Sequence, residues 1–132
     1  MRITADTNIL VRAIVEDDPV QSPIAQRELA EAEVVAITMP VLCELVWVLG
    51  RLYKRSHGDI AAALRSLLDA ENVTADRAAA DAGLRLLDQG GDFADGVIAE
   101  AGKWLGADTF VSFDRQAVHL LQTAGEAARL PV

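Results

Sequence analysis

Short apolar, β-branched runs alternate along the chain with longer segments whose apolar positions recur three and four residues apart. The first run, Arg2-Ile3-Thr4-Ala5, predicts a strand that stops at Asp6. Thr7 and Asn8 are helix-capping types, and Ile9, Leu10 and Ala13 then follow at helical spacing. Asn8 to Val15 therefore reads as a short helix, closed by Glu16-Asp17-Asp18-Pro19. Those three acids are expected to form a solvated turn. Ser22-Pro23 offers an N-cap and a first-turn proline for a second helix, running to about Ala32. Val34 to Thr38 is nearly continuous in apolar and β-branched residues, which suits a strand buried on both faces.

Pro40 opens the most apolar helix, extending to about Lys54, in which Glu44 is the only charge between Met39 and Gly50. Val41, Leu42, Leu45, Val46, Trp47, Val48, Leu49, Leu52 and Tyr53 make it hydrophobic nearly all round. One core needs only one such face, so the other is expected to pack on a second subunit. Gly58 to Leu68 is an amphipathic helix, and Glu71 to Thr74 reads as a short strand. Ala75 to Leu87 is an Ala-rich helix closed by Gly90-Gly91, and Asp92 to Leu105 is another, ended by Gly106. Thr109 to Phe113 reads as a strand ending at Asp114, and Gln116 to Gln122 as the last helix. This alternation predicts a three-layer α/β/α arrangement on a mainly parallel sheet.

At 132 residues the chain is expected to be one domain, residues 1–132, large enough for a proper core. No apolar run reaches the length of a membrane span, and the amino terminus lacks the layout of a secretion signal. The single cysteine, Cys43, lies in an apolar helical pattern and is expected to be a small buried hydrophobe. A cytoplasmic location follows from that cysteine usage. The net charge of −8 argues against a module that binds nucleic acid through basic residues. It does not exclude an enzyme that meets nucleic acid through metal ions held by carboxylates. It would also suit a basic protein partner.

The acids then become the main interest. Asp6 and Asp114 each follow a predicted strand, Glu44 lies early in the helix after the second strand, and Asp95 lies in a helical first turn. In a parallel sheet all of them fall near one edge, the edge where sites form in open α/β folds. Carboxylates so gathered raise each other's pKa unless a cation intervenes, and hard divalent cations favour all-oxygen sites. A metal-activated water beside a phosphate then gives phosphodiester hydrolysis. Asp6 could instead merely cap a helix, and Asp114 could be a turn residue. Asp92 with Asp95 resembles a capping box, which makes Asp92 a cap rather than a catalyst. Glu44 has less claim to a structural role, because a lone carboxylate in so apolar a helix is costly to bury.

Other polar residues carry less. His57, placed in a loop, and His119, on a helix, have no ligand spacing to another His or Cys and read as surface residues. Trp47 and Trp104 read as packing residues. Thr7, Asn8 and Ser112 could equally hydrogen-bond the acids or cap helices. The chain has no phosphate-cradling glycine motif.

The segments Asp6-Thr7-Asn8, Glu44 to Leu49, Asp92 to Ala99 and Ser112-Phe113-Asp114-Arg115 together resemble the PIN domain of VapC-type toxins. Order and spacing match over essentially the full length, down to Leu130-Pro131; Glu100 departs, standing where many relatives have a small residue. By position, the resemblance makes Asp6, Glu44, Asp95 and Asp114 the catalytic, metal-binding quartet. It implies a Mg2+- or Mn2+-dependent endoribonuclease that leaves 5′-phosphate and 3′-hydroxyl ends. It further implies a homodimer, and inhibition by a cognate antitoxin protein encoded beside it. Two other readings stand against this one. A phosphohydrolase with Asp6 as nucleophile usually wants a second acid two residues on, where Asn8 stands, and a phosphate-holding lysine at a strand end. Lys54 and Lys103 are the only lysines and neither is so placed. A PIN-like binding module without activity would have no need of the four acids.

Overall fold

The structure, a computed structural model, describes residues 1–132, which form two compact units, Met1–Asp76 and Arg77–Val132.

The first unit is built on three parallel strands, β1 (Arg2–Thr4), β2 (Val34–Ala36) and β3 (Val73–Thr74), in the order β1-β2-β3. Ile3 pairs with Val35, and Val35 with Val73. Parallel neighbours cannot be joined by a tight hairpin, so each connection is a helical crossover. Helices α1 (Thr7–Val15) and α2 (Gln21–Glu31) link β1 to β2, and α3 (Met39–Arg51) and α4 (His57–Leu68) link β2 to β3. The central Val35 is fully buried, and Leu10, Leu42, Leu45, Leu49, Ile60 and Leu64 are buried with it. These come from the helical positions that the periodicity assigns to a core face.

Several expectations are corrected here. Helix α2 starts at Gln21, and Ser22 is not its cap. The Asp18 carboxylate caps it instead, accepting from the N–H groups of Val20 at 2.9 Å and Gln21 at 2.8 Å. Asp17 is likewise engaged, by Arg12 at 3.0 Å, so the acidic turn is ordered by its own side chains. His57 is the first residue of α4 rather than a loop residue, capped by the Ser56 hydroxyl accepting from the Asp59 N–H. Cys43 is half-buried rather than buried. Neither tryptophan is a packing residue: Trp47 is 58% exposed and Trp104 76%.

The second unit holds α5 (Arg77–Asp88), α6 (Phe93–Trp104), β4 (Phe110–Val111), α7 (Arg115–Thr123) and β5 (Ala128–Arg129). The predicted strand over 109–113 contracts to two residues, and β5 follows a helix that the sequence reading leaves as the last element. Strands β4 and β5 pair in parallel, Phe110 with Ala128 and Val111 with Arg129. Gln122 supports β5 by donating to the Ala128 carbonyl at 2.7 Å. Leu86, Val118, Leu121 and Ala128 form the core, with Phe110, Leu120 and Leu130 packed on it. Helices α5 and α6 meet closely at Gly96, where a Cβ would run into the Ala82 carbonyl, so only glycine permits that approach. No helix in the chain is long and apolar enough to cross a membrane.

Candidate functional site

In the first unit, Asp6 stands two residues past β1 and keeps an extended backbone, φ −77° and ψ 159°. Its carboxylate accepts from the Thr7 N–H at 2.8 Å, which makes it the N-cap of α1. Helical spacing then stacks Thr7 on Val11 and Asn8 on Arg12, while on α3 it aligns Glu44 with Val48 and, just past the helix end, Leu52. These two faces, with Tyr53, line one cleft of about 300 Å3. Glu44 is exposed on that face, so the expected cost of burying it does not arise, and its position in the cleft is what singles it out. Val48 lines the cleft too.

Two features of this cleft escape the sequence reading. Thr7 is only 5% exposed, and its hydroxyl oxygen is buried with no hydrogen-bond partner. A buried hydroxyl left unpaired is costly, and this one lies in the wall of the cleft. At the far wall Arg12 donates to Gln21 at 3.0 Å, Asp17 at 3.0 Å and the Tyr53 hydroxyl at 3.3 Å. Tyr53 in turn donates to Asp17 at 3.2 Å. The only hint in the sequence is that Arg12 follows Asn8 by four residues.

In the second unit, Asp92 is the N-cap of α6, accepting from the Ala94 N–H at 3.0 Å. Asp114 is the N-cap of α7, accepting from the Ala117 N–H at 3.1 Å. Ser112 braces that turn by accepting from the Asp114 N–H at 3.0 Å, so its hydroxyl serves the backbone rather than an acid. Asp95 lies one turn into α6, half-buried, with its carboxyl pushed up to about 6. Burial is the larger cause, and the charges of Asp92 and Asp114 add to it. The unit thus brings Asp92, Asp95 and Asp114 within electrostatic reach of one another, as the first brings Asp6 and Glu44 to one cleft.

The donors offered are hard oxygens, from carboxylates that the helix caps hold still, and a cation would relieve the repulsion felt at Asp95. Such a set fits Mg2+ or Mn2+, which bind through a few carboxylates and keep several waters. No three His, Cys, Asp or Glu side chains are gathered into a ready-made cage.

Residues 3–122 match the PIN domain family, which is most of the chain. This protein is a PIN domain. The α/β fold with parallel strands is that of the family, and PIN domains are in general nucleases that use divalent metals. None of the curated proteins matches the sequence.

The Asp95 carboxyl gives a pH prediction. Its native pKa lies above the unfolded value, so it favours the folded state at low pH, and that contribution is lost as pH rises through about 6. In chelator, stability should fall between pH 4 and 7 by on the order of 1 kcal/mol, after discounting for solvent screening. Asp95→Asn should abolish this slope in denaturant titrations, and an unchanged slope would refute the assignment.

Proposed function

We propose that this PIN domain is a metal-dependent endoribonuclease and the toxin of a type II toxin–antitoxin pair, of the VapC type. The observation that carries the reading is the placement of Asp6 and Glu44 in one cleft of a PIN domain, beside a buried, unpartnered Thr7 hydroxyl. Asp6, Glu44, Asp95 and Asp114 are the residues proposed to hold Mg2+ or Mn2+. Such a metal, when bound, supplies charge neutralisation at a phosphodiester and a more acidic water. The chain's own part is to hold these oxygens fixed before substrate arrives, which preorganises the site for developing charge. The helix caps on Asp6 and Asp114 do this through one carboxylate oxygen each. Asp95 stands half-buried one turn into α6, its carboxyl pKa raised by burial and by the charges of Asp92 and Asp114, a repulsion that a bound cation relieves. The competing phosphohydrolase cannot draw on a free Lys103 to hold phosphate, since that side chain is engaged by Glu126 and Glu100.

Adding Mg2+ or Mn2+ should raise the melting temperature and switch on RNA cleavage, with a chelator reversing both. Binding to the native state alone stabilises by about 2.7 kcal/mol at a hundredfold excess over Kd. Asp6→Asn should remain folded, because asparagine caps a helix as well as aspartate does. It should lose cleavage and most of the metal-dependent shift. RNA cleavage that persists in chelator, or in Asp6→Asn at the wild-type rate, rules the reading out.

Partners are proposed on the same footing: a homodimer, and a cognate antitoxin with a basic segment that meets the acids. Helix α3 leaves Trp47 exposed, while the second unit exposes Ile98, Trp104, Leu105, Val111 and Phe113. Exposed apolar residues in that number suit a subunit contact. Trp104→Glu should therefore shift sedimentation from dimer to monomer, and a wild type that is monomeric at micromolar concentration refutes the dimer. For the antitoxin, the product of the adjacent small reading frame should bind in a salt-sensitive way and silence cleavage. A complex that keeps full nuclease activity overturns that partner.

A further inference from the structure

The cleft between α1 and α3 is chemically graded from one end to the other. Asp6, Thr7 and Glu44 give an acidic, polar end, and Val11, Val48 and Leu52 are its apolar residues. Arg12 is the only cation that lines it, in a chain whose net charge is −8. From Asp6 to Arg12 is six residues along α1, roughly 9 Å at a helical rise.

Arg12 is also braced in a particular way. Its bonds to Gln21, Asp17 and Tyr53 are made through Nε and Nη1. The two N–H groups of Nη2 are left to donate outward. A guanidinium fixed on one edge and open on the other is preorganised for phosphate, because little side-chain freedom remains to be lost on binding. The Tyr53 ring, half-buried beside it, offers an aromatic surface in the same cleft.

Resting on the ribonuclease reading above, we propose that this cleft is a subsite for a single-stranded RNA segment. Arg12 holds a backbone phosphate next to the one presented to Asp6 and Glu44. Val11, Val48, Leu52 and the Tyr53 ring contact the sugar and unpaired base between them. A cleft of about 300 Å3 is on the scale of one nucleotide, and stacking on an aromatic side chain is how unpaired bases are commonly held. Arg12 is then a binding residue rather than a metal-holding one.

The test compares wild type with Arg12→Ala and Arg12→Lys on a labelled single-stranded RNA oligonucleotide. Steady-state cleavage in Mg2+ gives kcat and KM. Fluorescence anisotropy in Ca2+, with the strand checked for integrity on a gel, gives Kd against salt. Arg12→Ala is expected to raise KM and Kd about tenfold, the loss of one charge-assisted hydrogen bond. Its kcat should stay within about twofold of wild type, and the salt slope should fall by about 0.7, one phosphate contact on a single strand. Arg12→Lys should restore the slope. The same strand annealed to its complement should bind wild type and Arg12→Ala alike. Should the alanine variant unfold, Arg12→Gln keeps hydrogen-bonding groups, loses the charge and must give the same changes. Equal KM, Kd and salt slope in wild type and variant, with the wild type cutting RNA, overturns the subsite alone and leaves Arg12 a structural brace. A wild type that neither binds nor cuts the strand overturns the ribonuclease reading and the subsite with it.

Discussion

Helices α1, α6 and α7 each begin on an aspartate whose carboxylate accepts an N–H of the helix it starts. The first turn of any helix has N–H groups without intrahelical partners, and it carries the positive end of the helix dipole. An aspartate there answers both, and such a cap is worth about 1 kcal/mol. The same bond fixes the carboxylate's rotamer at the point where an extended segment hands over to a helix. Folding and ligand chemistry are thus asked of one side chain, with one carboxylate oxygen committed to the cap. The arrangement recurs in both units, at Asp6 in the first and at Asp92 and Asp114 in the second. Capping does not detract from the case for Asp6 and Asp114 as metal-holding residues, because it is what makes their positions definite.

Glu44 and Asp95 lie inside helices, where backbone N–H groups are already used, so their surroundings differ in kind. Glu44 carries no burial cost, because its face of α3 opens to solvent. Asp95 is half-buried and faces two other carboxylates, and its pKa rises accordingly. Close packing around it comes from Gly96, which lets α6 approach the Ala82 carbonyl of α5.

Local rules made much of this legible and distant contacts made the rest illegible. Asp6 and Asp114 could be read as strand-end acids and Asp92 as a cap, because each depends only on its immediate neighbours. The α1 and α3 boundaries fell within a few residues for the same reason. Glu44 was singled out for a buried charge that the fold does not contain, since periodicity shows an apolar helix without showing which strip is covered. Trp47 and Trp104 were misjudged on that same ambiguity. Strand β5 is two residues long and exists only because β4 and Gln122 hold it. The bond from Arg12 to Tyr53 joins residues 41 apart, and no local pattern announces it.

The RNA-cleaving function proposed for so acidic a protein carries a constraint that narrows what its site can be. Phosphate affinity ordinarily comes from spread-out lysines and arginines, and with 20 acidic against 12 basic residues this chain repels nucleic acid over most of its surface. Attraction must then be concentrated where cations are held, either as divalent ions at the carboxylates or as guanidinium at a defined place. Concentrated attraction carries a geometric consequence. A strand that touches the protein at only two or three fixed points is selected by whether its phosphates can reach those points together, so backbone shape decides before any base edge is read. The braced Arg12 and the cap-fixed Asp6 are rigid enough to set such a spacing, because both are held by bonds to the fold rather than by flexible stems. In the proposed subsite the spacing is set by the stiffness of α1 itself, on which both residues stand.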